Sequence, residues 1–238
     1  LFFKFDVEAD TRDWVFDQFE WAIAEGILSA QTPLILPNAS FFPSGSGTPD
    51  ETVLGLVRSI QDHLKIPDAV IHVAQADVLP AEYRHNYQDL ASVAGTWQGD
   101  DEGGAMIRYD PALMNAKIGF LSILVHEVLH HRLNNAETPL DMDPAEEELA
   151  TDLHCITSGF GVISMSGAEQ LGWQGYMRQE TRAFCLALFC QITGTQDVAL
   201  AEIAPRSRKL LKRALKYCAS FSDDLNALKA AASGAPAH

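Results

Sequence analysis

A mostly helical α+β fold is what this sequence predicts, on three observations. Ile118–Leu133 is a nearly unbroken apolar run with no proline and one glycine, long enough for a buried helix rather than a strand. Upstream lie two shorter runs that favour extended chain, Ala69–Ala74 and Ala105–Tyr109. Downstream, the segments read as capped helices, so the short sheet belongs to the N-terminal half and the C-terminal half is helical. With 238 residues, one domain over residues 1–228 is expected, its mixed part ending near 116, followed by a loose Ala-rich tail at 229–238.

Composition narrows the function classes. The chain is 47% hydrophobic and 21% charged, which is globular and not disordered. A formal charge of -15 argues against nucleic acid, whose phosphates attract clustered Lys and Arg, and against anionic membrane surfaces. No apolar run is long enough to span a bilayer. Cys155, Cys185, Cys190 and Cys218 sit in apolar helical stretches at spacings that fit no zinc ribbon or thioredoxin pattern, so they read as core residues in a reducing compartment. The cytoplasm is the expected location, although the chain opens without Met and so leaves room for a removed leader.

Taken in order, Asp10-Thr11 are capping types, and Trp14, Val15, Phe19, Ala22 and Ile23 recur at helical spacing up to Gly26. Thr32–Pro37 is a short apolar run between prolines, readable as a short or edge strand. Phe41–Thr48 is loop, and Thr48-Pro49-Asp50-Glu51 is a capping box with Pro at the first helical position. That helix ends before Pro67, and the strand after it carries His72 as a sheet histidine. Between Asp77 and Asp100 the pattern weakens to a long loop or a strand pair near Val93–Trp97, and Asp100–Gly104 reads as a turn. Asp143-Pro144-Ala145-Glu146 is a second capping signal. Glu146 and Glu147 suit the positive end of that helix and are read as structural. Leu149, Leu153 and Ile156 mark its buried side, and Gly159 and Gly161 close it. Tyr176–Thr193 and Ser207–Phe221 are further helices, the latter with a basic side of Lys209, Lys212, Arg213 and Lys216.

The chemistry is concentrated in His126-Glu127-Val128-Leu129-His130, inside the apolar helix. Residues at i and i+4 lie on one helical face, so both imidazoles can reach one ion, while Glu127 is offset and can address a water on it. Burying these groups in an apolar helix is costly unless a metal or hydrogen bonds compensate. A catalytic zinc needs a third ligand from a neighbouring element. Glu148 is the best candidate, 18 residues after His130 and on the separately capped helix. Asp152 shares its face and is placed to hold the far nitrogen of a ligating imidazole.

Together, His126-Glu127-x-x-His130 and Glu148-x-x-x-Asp152 resemble the gluzincin clan of zinc metallopeptidases, the specific match covering residues 105–165. Small, minimal gluzincins and uncharacterised bacterial proteins with gluzincin-like sites are the nearer comparison, through Glu148-x-x-Thr151-Asp152-Leu153 running into Gly159-Phe160-Gly161-Val162. The resemblance implies a zincin-like core with a buried active-site helix, an edge strand at Met106–Arg108, and a zinc ion on His126, His130 and Glu148. It implies Glu127 as general base and acid, Asp152 behind the ligands, and cleavage of a peptide or protein substrate by a metal-activated water. The clan also uses a Tyr or His donor for the oxyanion; Tyr176 is preferred here, and His154, two positions from Asp152, should point away. His131 reads as a group behind the ligands or at the surface. Two rival readings stand beside this one. One is a regulatory or interaction protein that keeps zinc without turnover; the other is a hydrolase of non-peptide amides, which usually takes its third ligand from elsewhere.

Overall fold

The computed structural model describes residues 5–43, 47–76, 95–99, 104–173 and 176–235 of the chain. It opens with helix α1 (Ala9–Ala24), whose buried stripe is Val15, Phe19, Ala22 and Ile23, with Gln18. Its N-cap is Glu8, with no side-chain cap, so Asp10 and Thr11 lie in the first turn instead of starting the helix. Thr32–Pro37 forms no strand. Pro33 and Pro37 have no N–H for a ladder, and the Ile35 N–H donates at 2.9 Å to the carbonyl of Gly159.

Helix α2 (Pro49–His63) starts on the reciprocal capping box of Thr48 and Glu51. Among the described residues three strands follow, β1 (Ile71–Gln75), β2 (Gly95–Gly99) and β3 (Ala105–Tyr109), in the order β1-β3-β2. Strand β3 pairs parallel with β1 and antiparallel with β2. Met106–Arg108 is therefore central, not an edge: the glycine-flanked segment 95–99 returns beside it and occupies the side that sequence left open. His72 lies on β1 and is exposed. The turn expected at Asp100–Gly104 lies, up to residue 103, outside the described residues.

A 3₁₀ turn (Pro111–Asn115) leads into α3 (Lys117–Asn134), which is buried on nearly every side, from Phe120, Leu121 and Leu124 to Val128, Leu129 and Leu133. Helix α4 (Pro144–Cys155) starts on the Asp143–Glu146 capping box. It runs into a π-type turn (Ile156–Phe160) and on to α5 (Gly161–Gln170). Gly159 makes the break between them at φ +96, where a Cβ would lie 2.3 Å from the Pro33 carbonyl oxygen. Helix α5 then packs tightly on α3, since a Cβ on Gly167 would meet Ser122 Oγ at 2.3 Å.

Helix α6 (Gln179–Thr193) ends on a left-handed Gly194. After it come α7 (Gln196–Glu202), α8 (Pro205–Cys218) and α9 (Ser222–Gly234). Helix α9 occupies much of the segment expected to be a loose tail. Ala232 is buried there, and a run of alanines favours helix at no side-chain entropy cost. The mostly helical α+β class is what the structure has. All four cysteines are free and buried, as core residues should be.

Among the described residues the buried apolar side chains form two clusters. One gathers α1, α6, α8 and α9, together with Leu153 and Ile156; the other gathers α2, the sheet and α3. The chain from α4 through the π-type turn contributes to both, which places α4 at their seam beside α3.

Candidate metal centre

Helix α3 brings His126 and His130 one turn apart on one side, as their spacing requires, and α4 faces them with Glu148. His126 Nε2 lies 3.0 Å from Glu148 Oε2 and 3.2 Å from His130 Nε2, and His130 Nε2 lies 3.5 Å from Glu148 Oε2. These three residues form a group whose ligand atoms are close enough to bind one metal ion. In a tetrahedral site with bonds of about 2.0–2.1 Å, neighbouring ligand atoms are about 3.3 Å apart, so the donor set and its spacing fit a zinc-sized ion.

The other nitrogen of His126 sharpens this. Nδ1 lies 3.2 Å from Asp152 Oδ1. With its proton given to that carboxylate, neutral His126 turns a lone pair from Nε2 toward both Glu148 Oε2 and His130 Nε2. Three electron-pair donors within 3.5 Å repel one another unless a cation sits among them. A proton on Nε2 can serve one neighbour at a time; a metal ion serves all three.

The titration behaviour follows the same geometry. Burial acts to lower the His126 pKa, but hydrogen bonds with Asp152, Cys155 and Glu148 outweigh it and hold it well above the usual imidazole range. Burial acts to raise Glu148, but both histidines pull it down to about 2. Asp152 lies well below the usual carboxylate range; burial opposes this, and Arg182, His126 and the Met177 N–H prevail. Without a metal, His126 thus keeps its proton, and an ion bound at Nε2 would displace it.

Glu127 is 7% exposed, and together with Glu148 and Asp152 it adds to burial in raising the Tyr176 phenol above its usual pKa. Tyr176 is 48% exposed, and its ring stacks near-parallel on His126 with centroids 6.1 Å apart, so it stands on the solvent side of the histidine. Its backbone N–H, and that of Met177, donate to Asp152 Oδ2 at 3.0 and 3.1 Å. The two oxyanion candidates are therefore separated. His154 is fully buried on the other side of α4, with Nε2 3.0 Å from Gln18 Oε1 and Nδ1 3.1 Å from Thr157 Oγ1. His131, left between an inner and a surface place, is buried.

Three participants escaped the sequence reading. By sequence Glu147 suits the helix N-terminus alone, yet its Oε1 lies 3.6 Å from His130 Nδ1. Thr151 Oγ1 is 3.5 Å from the same nitrogen and gives its own proton to the Glu147 carbonyl at 2.8 Å, leaving its oxygen to accept. Arg182 reaches Asp152 from α6 at 2.7 Å. Its sequence signal is weak, a cation directly before the apolar run Ala183–Cys190 and two residues after Glu180.

No helix among the described residues is long and apolar enough to cross a membrane. No family model, curated protein or solved structure matches the chain, so the gluzincin likeness rests on the chain's own residues.

Proposed function

We propose that this chain is a zinc-dependent hydrolase and, within that class, a gluzincin-like metallopeptidase acting on peptides or proteins. The observation that carries the reading is the convergence of three electron-pair donors, His126, His130 and Glu148, with a further carboxylate, Glu127, beside them on α3. Two imidazoles and one carboxylate form a donor set typical of catalytic zinc, which keeps one position open. Partial exposure of Glu148 and Tyr176 supports access from solvent, where a purely structural site would be closed.

When bound, zinc would supply Lewis acidity, bringing the pKa of a water from about 15.7 towards about 7 and polarising a carbonyl oxygen. The chain's own residues do the rest. Asp152 accepts the Nδ1–H of His126 and so fixes the tautomer that turns Nε2 inward. Glu127 takes the proton of the attacking water on its carboxylate and returns it to the leaving amine. Tyr176, with its pKa raised, keeps its phenolic proton at neutral pH and donates it in a hydrogen bond to the oxygen of the carbonyl under attack.

Metal analysis beside a peptide-library cleavage assay tests this on wild type, Glu127→Gln and Glu148→Ala. Wild type and Glu127→Gln should hold stoichiometric zinc, only wild type should cleave, and Glu148→Ala should lose the metal. Zinc retained undiminished in Glu148→Ala would overturn the ligand set. Cleavage persisting in Glu127→Gln would overturn the mechanism, and zinc without cleavage in wild type would favour the non-catalytic zinc protein.

A further inference from the structure

We infer that Arg182 is a positioning residue of this site, anchoring Asp152 so that one carboxylate aligns both His126 and the Tyr176–Met177 turn. For His126 the inference rests on the zinc reading above; for the turn it does not.

Arg182 is 3% exposed and sits among Ala183, Phe184, Cys185 and Leu186 on α6. Its Nη2 donates to Asp152 Oδ2 at 2.7 Å and its Nη1 to Ser164 Oγ at 2.6 Å. One planar guanidinium therefore ties α6 to α4 and α5 at once. Asp152 Oδ2 accepts three donors, from Arg182, Tyr176 and Met177, and these set the plane of the carboxylate. Oδ1 is left facing His126 Nδ1 at 3.2 Å. The direction of Oδ1, and with it the tilt of the imidazole, follows from where Oδ2 is held.

A buried carboxylate needs a cation to stay charged, and guanidinium keeps its charge under all ordinary conditions. Lysine would not replace it. An ammonium is a point charge on a flexible stem, whereas the task here is to hold two acceptors on different helices in one fixed plane. Arg182 donates to Asp152 and Ser164, neither of them a proposed ligand, so its effect is transmitted through Asp152.

The test uses Arg182→Met and Arg182→Lys in the full chain, the lysine variant keeping the buried charge if the methionine variant does not fold. Zinc affinity is measured by chelator competition, and exchange of single backbone amides by NMR on metal-free protein. Both variants should bind zinc about 10–100-fold more weakly, methionine more than lysine, as expected for loss of a partner behind the ligands. The Tyr176 and Met177 amides should exchange faster while that of Ile107 in β3 keeps its protection. Zinc affinity within about twofold of wild type, with both turn amides unchanged, overturns the inference. Equal loss of protection at Ile107 and at the turn overturns it too, since Arg182 would then be supporting the fold at large. If wild type binds no zinc, the metal reading falls, and the amide measurement alone decides whether Arg182 holds the turn.

Discussion

Replacing His154 with glutamine should flatten the acid side of the stability curve. The imidazole is fully buried between Gln18 and Thr157, with the Trp21 ring 4.8 Å away between centroids. Burial pushes its pKa down to about 3, against about 6.5 for an unfolded chain. Above about pH 6.5 the residue is neutral in both states and contributes nothing to the pH dependence. Below that value the unfolded chain takes up a proton that the folded chain refuses, so stability falls as pH falls, until the folded pKa is reached. The slope approaches about 1.4 kcal/mol per pH unit, and between about pH 7.5 and pH 5 the loss is about 2 kcal/mol. Urea unfolding of wild type and His154→Gln, in chelator and at several pH values across that interval, isolates this contribution as the difference between two slopes. The variant's offset is immaterial; the difference in slope is the readout. If both proteins lose stability in parallel between those pH values, His154 is not the buried neutral group described. Zinc content should be the same in both, because His154 lies away from the ligand face of α4.

Two further outcomes follow from the local geometry. Glu147→Gln should weaken zinc binding about tenfold in a chelator competition with little change in melting temperature, because the side chain is half-exposed yet lies beside His130 Nδ1. Gly159→Ala should destabilise by about 2 kcal/mol or more in urea unfolding, since the residue combines φ +96 with a Cβ position 2.3 Å from the Pro33 oxygen. A change under about 0.5 kcal/mol there would mean that the π-type turn relaxes freely.

How far the molecule was legible in its sequence depended on the range of each interaction. That His126, His130, Glu148 and Asp152 come together was legible because helical geometry turns spacing into a shared face, and because the Asp143 capping box fixes where α4 begins. The central place of β3 was not legible, since strand order depends on which distant segment pairs with it. Arg182 is 30 residues from Asp152, and only the apolar run that follows it hints at burial. Glu147 had a sufficient local explanation at the helix start, and that hid its second neighbour, His130. The same logic misplaced Thr32–Pro37, whose extended chain gives the Ile35 N–H to the π-type turn instead of to a sheet.

Helices α3 and α4 meet at the seam between two hydrophobic clusters, and each supplies part of the candidate site. Apolar packing tolerates several registries between two such bodies, because dispersion contacts are numerous, weak and nearly interchangeable. Coordination bonds are few and accept deviations of only about 0.2 Å. An ion held from both sides would therefore act as a gauge, rejecting alignments of α3 and α4 that packing alone would permit, and the chemistry would be available only in the one that remains.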